Sequence, residues 1–173
     1  MQIKRLILGI LQTNCYILTK DDECLIIDPA DEAQVIKDNI NGKLVGILIT
    51  HYHFDHIEAL EELKNEYRDV IIYDSTNLLE GKNKISKFIF EMIKTPGHKS
   101  DAISFLFNNN LFCGDFIFAD AIGRCDLPTG NFKIMQESIK KILTYDENII
   151  IYPGHGNNTT LKNEKKNLLT YID

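Results

Sequence analysis

The sequence predicts an α+β fold in which two packed, mixed sheets carry helices on their outer faces. Two observations predict it: the strand-like segments come in two groups, and an amphipathic helix follows each group. Strands that alternate singly with helices would instead indicate one parallel sheet. We expect a single domain over residues 1–173, because a chain of this length suits one core and no linker-like stretch interrupts it.

The first half of the chain contains four predicted strands and two predicted helices. Short β-rich runs predict strands at 3–8, 15–18, 24–28 and 44–50. The third ends at the turn signal Asp28-Pro29, and the fourth is a continuous apolar run typical of a buried strand. A weakly helical stretch covers 32–40. A second helix follows His56, and its apolar face consists of Ile57, Leu60, Leu63 and Tyr67.

The second half repeats this order of strands and then helix. Strands are predicted at 70–73, 87–94, 103–107, 111–113 and 148–152, the last of these being the final strand. A helix over 133–143 and a polar helix over about 160–170 complete the chain. The first of these helices has a predicted buried stripe of Met135, Ile139, Ile142 and Leu143.

Composition excludes several classes of protein. The formal net charge is -6 and the pI is near 5.4, so the chain lacks the basic footprint of a nucleic-acid binder. No apolar run approaches the roughly 20 residues that span a bilayer, and the apolar stretch at 6–11 lacks a cleavage site. The four cysteines form no Cys-x-x-Cys pair, so we expect free thiols, a reducing compartment and a cytoplasmic protein.

All five histidines stand in positions typical of metal ligands. Three of them lie with an aspartate in the string Thr50-His51-Tyr52-His53-Phe54-Asp55-His56. His98 and His155 each follow a Pro-Gly pair, and Asp115 follows Gly114. Imidazole and carboxylate together suit zinc, iron or manganese. The pattern therefore predicts a metal site, and a dinuclear hydrolytic site is the leading hypothesis.

Each of these segments begins just after a predicted strand ends, so the side chains are expected to meet along one edge of the fold. In an extended segment residues i and i+2 share a face, so His51 and His53 can bind one ion. Asp55 and His56 lie beyond, where the chain turns into a helix, and can face a second ion. The remaining ligands are then drawn from His98, Asp115 and His155.

Each residue also has a purely structural interpretation. Asp55 with Glu58 fits a helix N-cap, and Asp115 alone could merely end a strand. A lone His98 or His155 is more often a core or loop histidine than a ligand. Three of the cysteines fit as small buried residues, which leaves Cys125 as the one thiol in a loop near the motifs.

Five spaced motifs connect the chain to a known family. They are His-x-His-x-Asp-His at 51–56, Thr95-Pro96-Gly97-His98, Gly114-Asp115, the segment 122–128, and Tyr152-Pro153-Gly154-His155-Gly156 followed by Thr159-Thr160. With these motifs the chain resembles the metallo-β-lactamase fold superfamily, and within it the glyoxalase II-like (hydroxyacylglutathione hydrolase-like) hydrolases. The resemblance implies a four-layer αβ/βα sandwich. It also implies one metal on His51, His53 and His98, a second on Asp55, His56 and His155, and Asp115 between them.

The resemblance further implies a metal-dependent thioester hydrolase acting on a small molecule. Two divalent ions, zinc first and iron or manganese as alternatives, would share a hydroxide that attacks the thioester carbonyl, with Asp55 as the catalytic residue that orients it. A mono-iron persulfide dioxygenase-like enzyme and a non-catalytic metal-binding module are the alternatives. Antibiotic hydrolysis is disfavoured by Asp115 and by the missing signal peptide. Lys99, Arg124 and Cys125 are candidate substrate contacts, and the oligomeric state is left open.

Overall fold

The protein folds as four layers in the order helix, sheet, sheet, helix, which confirms the predicted fold class. This computed structural model describes residues 1–172. Within them, none of the helices has both the length and the apolar character that crossing a bilayer requires.

The first sheet has five strands in their order along the chain. They are β1 (Gln2–Leu8), β2 (Thr13–Lys20), β3 (Glu23–Ile27), β4 (Lys43–Leu48) and β5 (Ile72–Tyr73). The first three pair antiparallel, and β3, β4 and β5 pair parallel. Helices α1 (Ala33–Asp38) and α3 (Leu60–Glu66) cover the outer face, where Ile36 and Leu63 are fully buried against Ile26 and Ile47.

The second sheet has six strands and is also mixed. Its strands are β6 (Gly81–Ile85), β7 (Phe88–Lys94), β8 (Ile103–Phe107), β9 (Asn110–Gly114), β12 (Ile150–Pro153) and β13 (Thr159–Thr160), and strands β10 (Ile117–Phe118) and β11 (Ala121–Ile122) form a separate ribbon. The spatial order is β13-β12-β9-β8-β7-β6, and β9 and β12 pair parallel. Helices α4 (Phe132–Ile142) and α5 (Leu161–Thr170) pack on the outer face through Ile139 and Leu168.

An aromatic core joins the two sheets. Leu18 and Leu25 from the first sheet pack in one cluster with Phe90, Phe105 and Phe112 from the second. Burying each of these side chains contributes about 1.5–3 kcal/mol, so this layer is a large share of the energy that holds the sheets face to face. The predicted apolar stripe of α4 is confirmed, since its members lie in the cluster beneath the helix.

The structure differs from the predictions in several elements. The strand at 70–73, predicted with the second group, is β5 of the first sheet, because it pairs with β4. The single helix after His56 is wrong: α2 (Phe54–Ile57) and α3 are separate helices, because the backbone N–H of Ala59 donates to Pro29 O and Ala30 O instead of continuing a helix. Strand β6 was not predicted because its polar sequence occupies an exposed sheet edge. The strand at 148–152 is β12, and the two-residue β13 follows it.

The predicted site residues lie at the edge of the fold where β4, β7, β9 and β12 end. The segments that follow these strands hold the histidine string, His98, Asp115 and His155. Two backbone hydrogen bonds join them: Ile103 N–H donates to Thr50 O at 2.9 Å, and Gly154 N–H donates to Gly114 O at 2.8 Å. The loops therefore leave both sheets at one place and are fixed to each other there.

Candidate metal centre

The structure brings all seven predicted site residues together. Their possible ligand atoms form two groups, and within each group the atoms lie within 4.8 Å of one another. The first group consists of His51, His53, His98 and Asp115, and the second consists of Asp55, His56 and His155. Three or four imidazole and carboxylate groups at such spacing fit a divalent cation.

A buried carboxylate orients two of the histidines. Asp28, which is 2% exposed, accepts hydrogen bonds from Thr50 N at 2.8 Å, Thr50 Oγ1 at 2.6 Å and His56 Nδ1 at 2.8 Å. Because the Thr50 hydroxyl donates to Asp28, it accepts from His51 Nδ1, 3.0 Å away. Both rings therefore donate from Nδ1 and turn Nε2 toward the site.

Backbone carbonyls orient two more histidines. His98 Nδ1 donates to Arg124 O at 2.7 Å, and His155 Nδ1 donates to Leu11 O at 3.1 Å. His53 instead turns its Nδ1 inward, 3.1 Å from His51 Nε2 and 2.8 Å from His98 Nε2. Five ring nitrogens thus point to the interior of the site, four of them fixed by a hydrogen bond at the opposite side of the ring.

Asp115 faces both groups. Its Oδ1 lies 3.3 Å from His56 Nε2 and 3.6 Å from His155 Nε2, while its Oδ2 lies 3.5 Å from His98 Nε2. Asp55 Oδ2 lies 3.2 Å from His155 Nε2 and accepts a hydrogen bond from Thr13 Oγ1 at 2.8 Å. The two oxygens of Asp115 are therefore placed to be shared between the groups.

Two buried atoms at the centre lack a hydrogen-bond partner among the described residues: His56 Nε2 and Asp115 Oδ1. They lie 3.3 Å apart without forming a hydrogen bond. An unpaired buried polar atom destabilises a fold by about 1–3 kcal/mol, and native structures rarely leave one without a reason. Bound cations would satisfy both atoms, so the residues present fit a metal centre.

Burial and close neighbours shift the pKa values of three histidines in opposite directions. Burial and the nearby His56 lower the pKa of His51 well below its usual range, and burial with His98 lowers that of His53. Burial would also lower the pKa of His56, but Asp115 and Asp28 raise it to about 10. Without metal, His56 therefore carries positive charge at neutral pH.

Both carboxylates are ionised at neutral pH. Burial opposes ionisation of Asp55 and Asp115, yet neighbouring histidines lower both pKa values far below the usual range: His155 and His56 act on Asp55, and His56 and His51 act on Asp115. The centre thus offers two carboxylates together with imidazole nitrogens, a donor set that attracts divalent ions.

Close backbone approach requires glycine at two strand ends. Gly114 has a φ of 50°, in the left-handed region, and a Cβ there would lie 2.3 Å from Thr50 Oγ1. A Cβ on Gly154 would lie 2.3 Å from Asp115 Oδ1 and 2.6 Å from His56 Cε1. The loops that bear the ligands can pack this tightly only without side chains at these positions.

Three residues that support the site were not predicted from the sequence. Asp28, Thr13 and Asn14 were not predicted to serve the site, although Asp28 shared the signal of a polar residue at a strand end. Asn14 Nδ2 donates to Pro153 O and Gly156 O, both at 2.9 Å, and so braces the loop on either side of His155. Nothing in the pattern around Asn14 indicated this role.

The alternative role of Asp55 as a helix cap is wrong. The N-cap of α2 is His53, no side chain caps this helix, and Asp55 lies within its first turn. Its carboxylate turns instead toward Thr13 and His155. All four cysteines are free, as expected, and only Cys125 is not buried.

A cleft of about 690 Å³ opens over the two groups. Its lining includes five of the seven converging residues, and of the three candidate substrate contacts it includes Arg124 but neither Lys99 nor Cys125. Arg124 is paired with Asp126 through Nε at 2.7 Å and Nη2 at 2.8 Å, and Lys99 is paired with Asp101 at 2.9 Å. The cleft gives a small molecule direct access to the centre.

Comparison with known proteins gives matches along nearly the whole chain. The family model of the Metallo-beta-lactamase superfamily matches residues 8–94. The probable metallo-hydrolase YqgX of Bacillus subtilis (strain 168) is 32% identical and aligns over 95% of each chain. The hydroxyacylglutathione hydrolase GloC of Haemophilus influenzae is 30% identical and aligns over 96% of each.

Solved structures show the same architecture. The B3 metallo-beta-lactamase BLEG-1 is 30% identical, with a TM-score of 0.88 over 95% of this chain and 97% of that one. The di-iron-bound form of TTHA1623 is 27% identical, with a TM-score of 0.84 over 95% of this chain and 98% of that one.

Proposed function

The chain belongs to the metallo-beta-lactamase superfamily, and from this premise we propose that it is a metal-dependent thioester hydrolase of the glyoxalase II-like kind. One observation carries the proposal: seven imidazole and carboxylate side chains converge beneath an open cleft, with one ring nitrogen of each histidine facing inward. The hydroxyacylglutathione hydrolase relative supports the choice of thioesters among hydrolysable substrates.

The proposed ligands follow the two groups. One ion would be held by His51, His53 and His98, the other by Asp55, His56 and His155, and Asp115 would contact both. Zinc is the proposed metal. Iron is the main alternative, because a similar structure holds two iron ions, and manganese also suits these donors.

When bound, divalent ions lower the pKa of a coordinated water toward about 7 and polarise a carbonyl oxygen. The chain's own residues orient the reactants. Asp55 lines the cleft and is ionised, so it accepts a hydrogen bond from a water on the cleft floor and directs it toward the carbonyl. Thr13 holds this carboxylate in position by donating to its Oδ2.

The residues of the cleft favour water as the nucleophile. Its lining, all within the described part of the chain, contains no serine, cysteine or lysine that could form a covalent intermediate. A thioester suits such a site because the departing thiolate is a good leaving group that needs little help from an acid. The free thiols fit a reducing compartment, and we extend the proposal to a cytoplasmic enzyme.

The test is turnover of S-lactoylglutathione and other thioesters by protein loaded with zinc, iron or manganese. We expect Asp55→Ala and Asp115→Ala to abolish turnover while circular dichroism shows a folded protein. Asp38→Ala, which removes an exposed carboxylate on α1, should match the unmodified protein. Near-normal rates in either site variant would overturn the mechanism.

A second candidate is β-lactam hydrolysis, favoured by the 30% identity to a B3 metallo-beta-lactamase. Adding the chromogenic β-lactam nitrocefin to the same panel separates the two activities. Oxygen consumption by protein that holds a single iron would point to the dioxygenase alternative. Metal-loaded protein that is inert on every substrate would favour a non-catalytic module.

A further inference from the structure

We propose that the cleft binds a thioester through an apolar arm, a substrate class that rests on the proposed hydrolase function. The walls of the cleft above the converging residues carry four large apolar side chains from four separate segments. These are Leu11, Phe54, Phe118 and Leu127.

Two of these side chains are unusually open to solvent. Leu11 is 51% exposed and Phe54 is 68% exposed, although both stand beside the predicted ligands. Phe118 also lies near the centre, with its ring 6.2 Å from that of His155. A substrate whose reacting carbonyl reaches the cleft floor would therefore run its remaining atoms along apolar surface. Removing that surface from water would stabilise the complex.

The charges of the cleft favour a neutral arm over an anionic one. Among the lining residues, all within residues 1–172, Arg124 carries the one fixed positive charge. Asp126 binds its guanidinium in a bidentate pair, and this lowers the pKa of Asp126 to about 2, so the pair is neutral overall at physiological pH. An anionic substrate group would meet the charge of Asp126 together with that of Arg124 and gain little attraction.

Two series of neutral thioesters test the proposal. The first lengthens the acyl group on N-acetylcysteamine from acetyl through butyryl and hexanoyl to octanoyl, and the second lengthens the alkyl group of S-alkyl thioacetates. We expect kcat/KM to rise by about fourfold for each methylene group that the wall covers. A rise in the first series places the arm on the acyl side, and a rise in the second places it on the thiol side; either supports the proposal.

Variants then assign the effect to the wall. In Phe54→Ala and Leu127→Ala, kcat/KM should rise much less with chain length, while the metal content stays unchanged. Leu79→Ala removes a side chain that is 82% exposed outside the cleft, and it should leave the series intact. Measuring metal content controls for disturbance of the ligands next to Phe54, and Leu127 gives the same test from another segment.

Binding separates this inference from the proposed function. Non-hydrolysable S-alkyl thioethers of increasing length are titrated calorimetrically into zinc-loaded protein, and Kd should fall with length by the same factor. If thioesters are hydrolysed but neither kcat/KM nor Kd changes with chain length, the apolar arm is refuted and the hydrolase function is not. Failure of every thioester to react, with metal bound, would overturn the hydrolase. A length-dependent Kd would still support the apolar site in that case.

Discussion

Gly154→Ala should disable the metal centre by displacing two of its side chains. Gly154 is not among the residues with positive φ, so alanine can adopt its conformation. The added Cβ would lie 2.3 Å from Asp115 Oδ1 and 2.6 Å from His56 Cε1, and ordinary contact begins near 3.4 Å. Both side chains must therefore retreat by about 1 Å. A displacement of that size at a reacting centre lowers kcat/KM by roughly 100-fold, or about 2.7 kcal/mol.

The assay combines thioester kcat/KM with metal content by elemental analysis. Gly81→Ala is the matched control, because its φ of 103° strains alanine while its Cβ would meet no atom within 4 Å. We expect the control to lose some stability but keep its metal and its activity. If Gly154→Ala kept its metal and stayed within twofold of normal kcat/KM, the positions of Asp115 and His56 would not limit activity as argued.

Three further predictions concern Asp28, His56 and Asn14. Asp28→Ala leaves three buried donors without an acceptor. It should therefore lower the unfolding free energy of the metal-free protein, measured by urea titration, by about 3–5 kcal/mol. A loss under about 1 kcal/mol would contradict the role of Asp28 as a buried acceptor. The raised pKa of His56 stabilises the metal-free fold fully below pH 6.5, and this stability is lost as the pH rises toward 10. Without metal, the urea midpoint should fall as the pH rises from 6.5 toward 10. A constant midpoint over this range would refute the raised pKa of His56. Asn14→Ala removes the hydrogen bonds to both carbonyls beside His155. Metal affinity, measured by chelator competition, should weaken by about 10–100-fold. An unchanged affinity would show that the loop does not need these hydrogen bonds.

Local pattern predicted most of the fold. Short β-rich runs predicted the long strands, and the apolar stripe of α4 identified the face that packs on the second sheet. Elements that depend on tertiary contacts were not predicted. β6 is held by its pairing with β7 and has no apolar pattern of its own. The break between α2 and α3 depends on a hydrogen bond from Ala59 to a loop about thirty residues earlier in the chain.

The converging residues were predicted because their chemistry is unusual. Histidines are few in this chain, and each stood after a strand or a Pro-Gly pair. The residues that support them have no such signature. Asn14 acts through backbone carbonyls some 140 positions away, and Arg124 and Leu11 each contribute only a carbonyl to a histidine. Contacts of that kind become visible only in three dimensions.

Metal stoichiometry tests the central claim most directly. Protein stripped with a chelator, titrated with zinc and freed of excess should hold about two ions per chain by elemental analysis. His56→Ala should hold about one, because its imidazole belongs to one of the two groups. Far less than one ion per chain in the unmodified protein would contradict the account, because the converging side chains would then not form a metal centre.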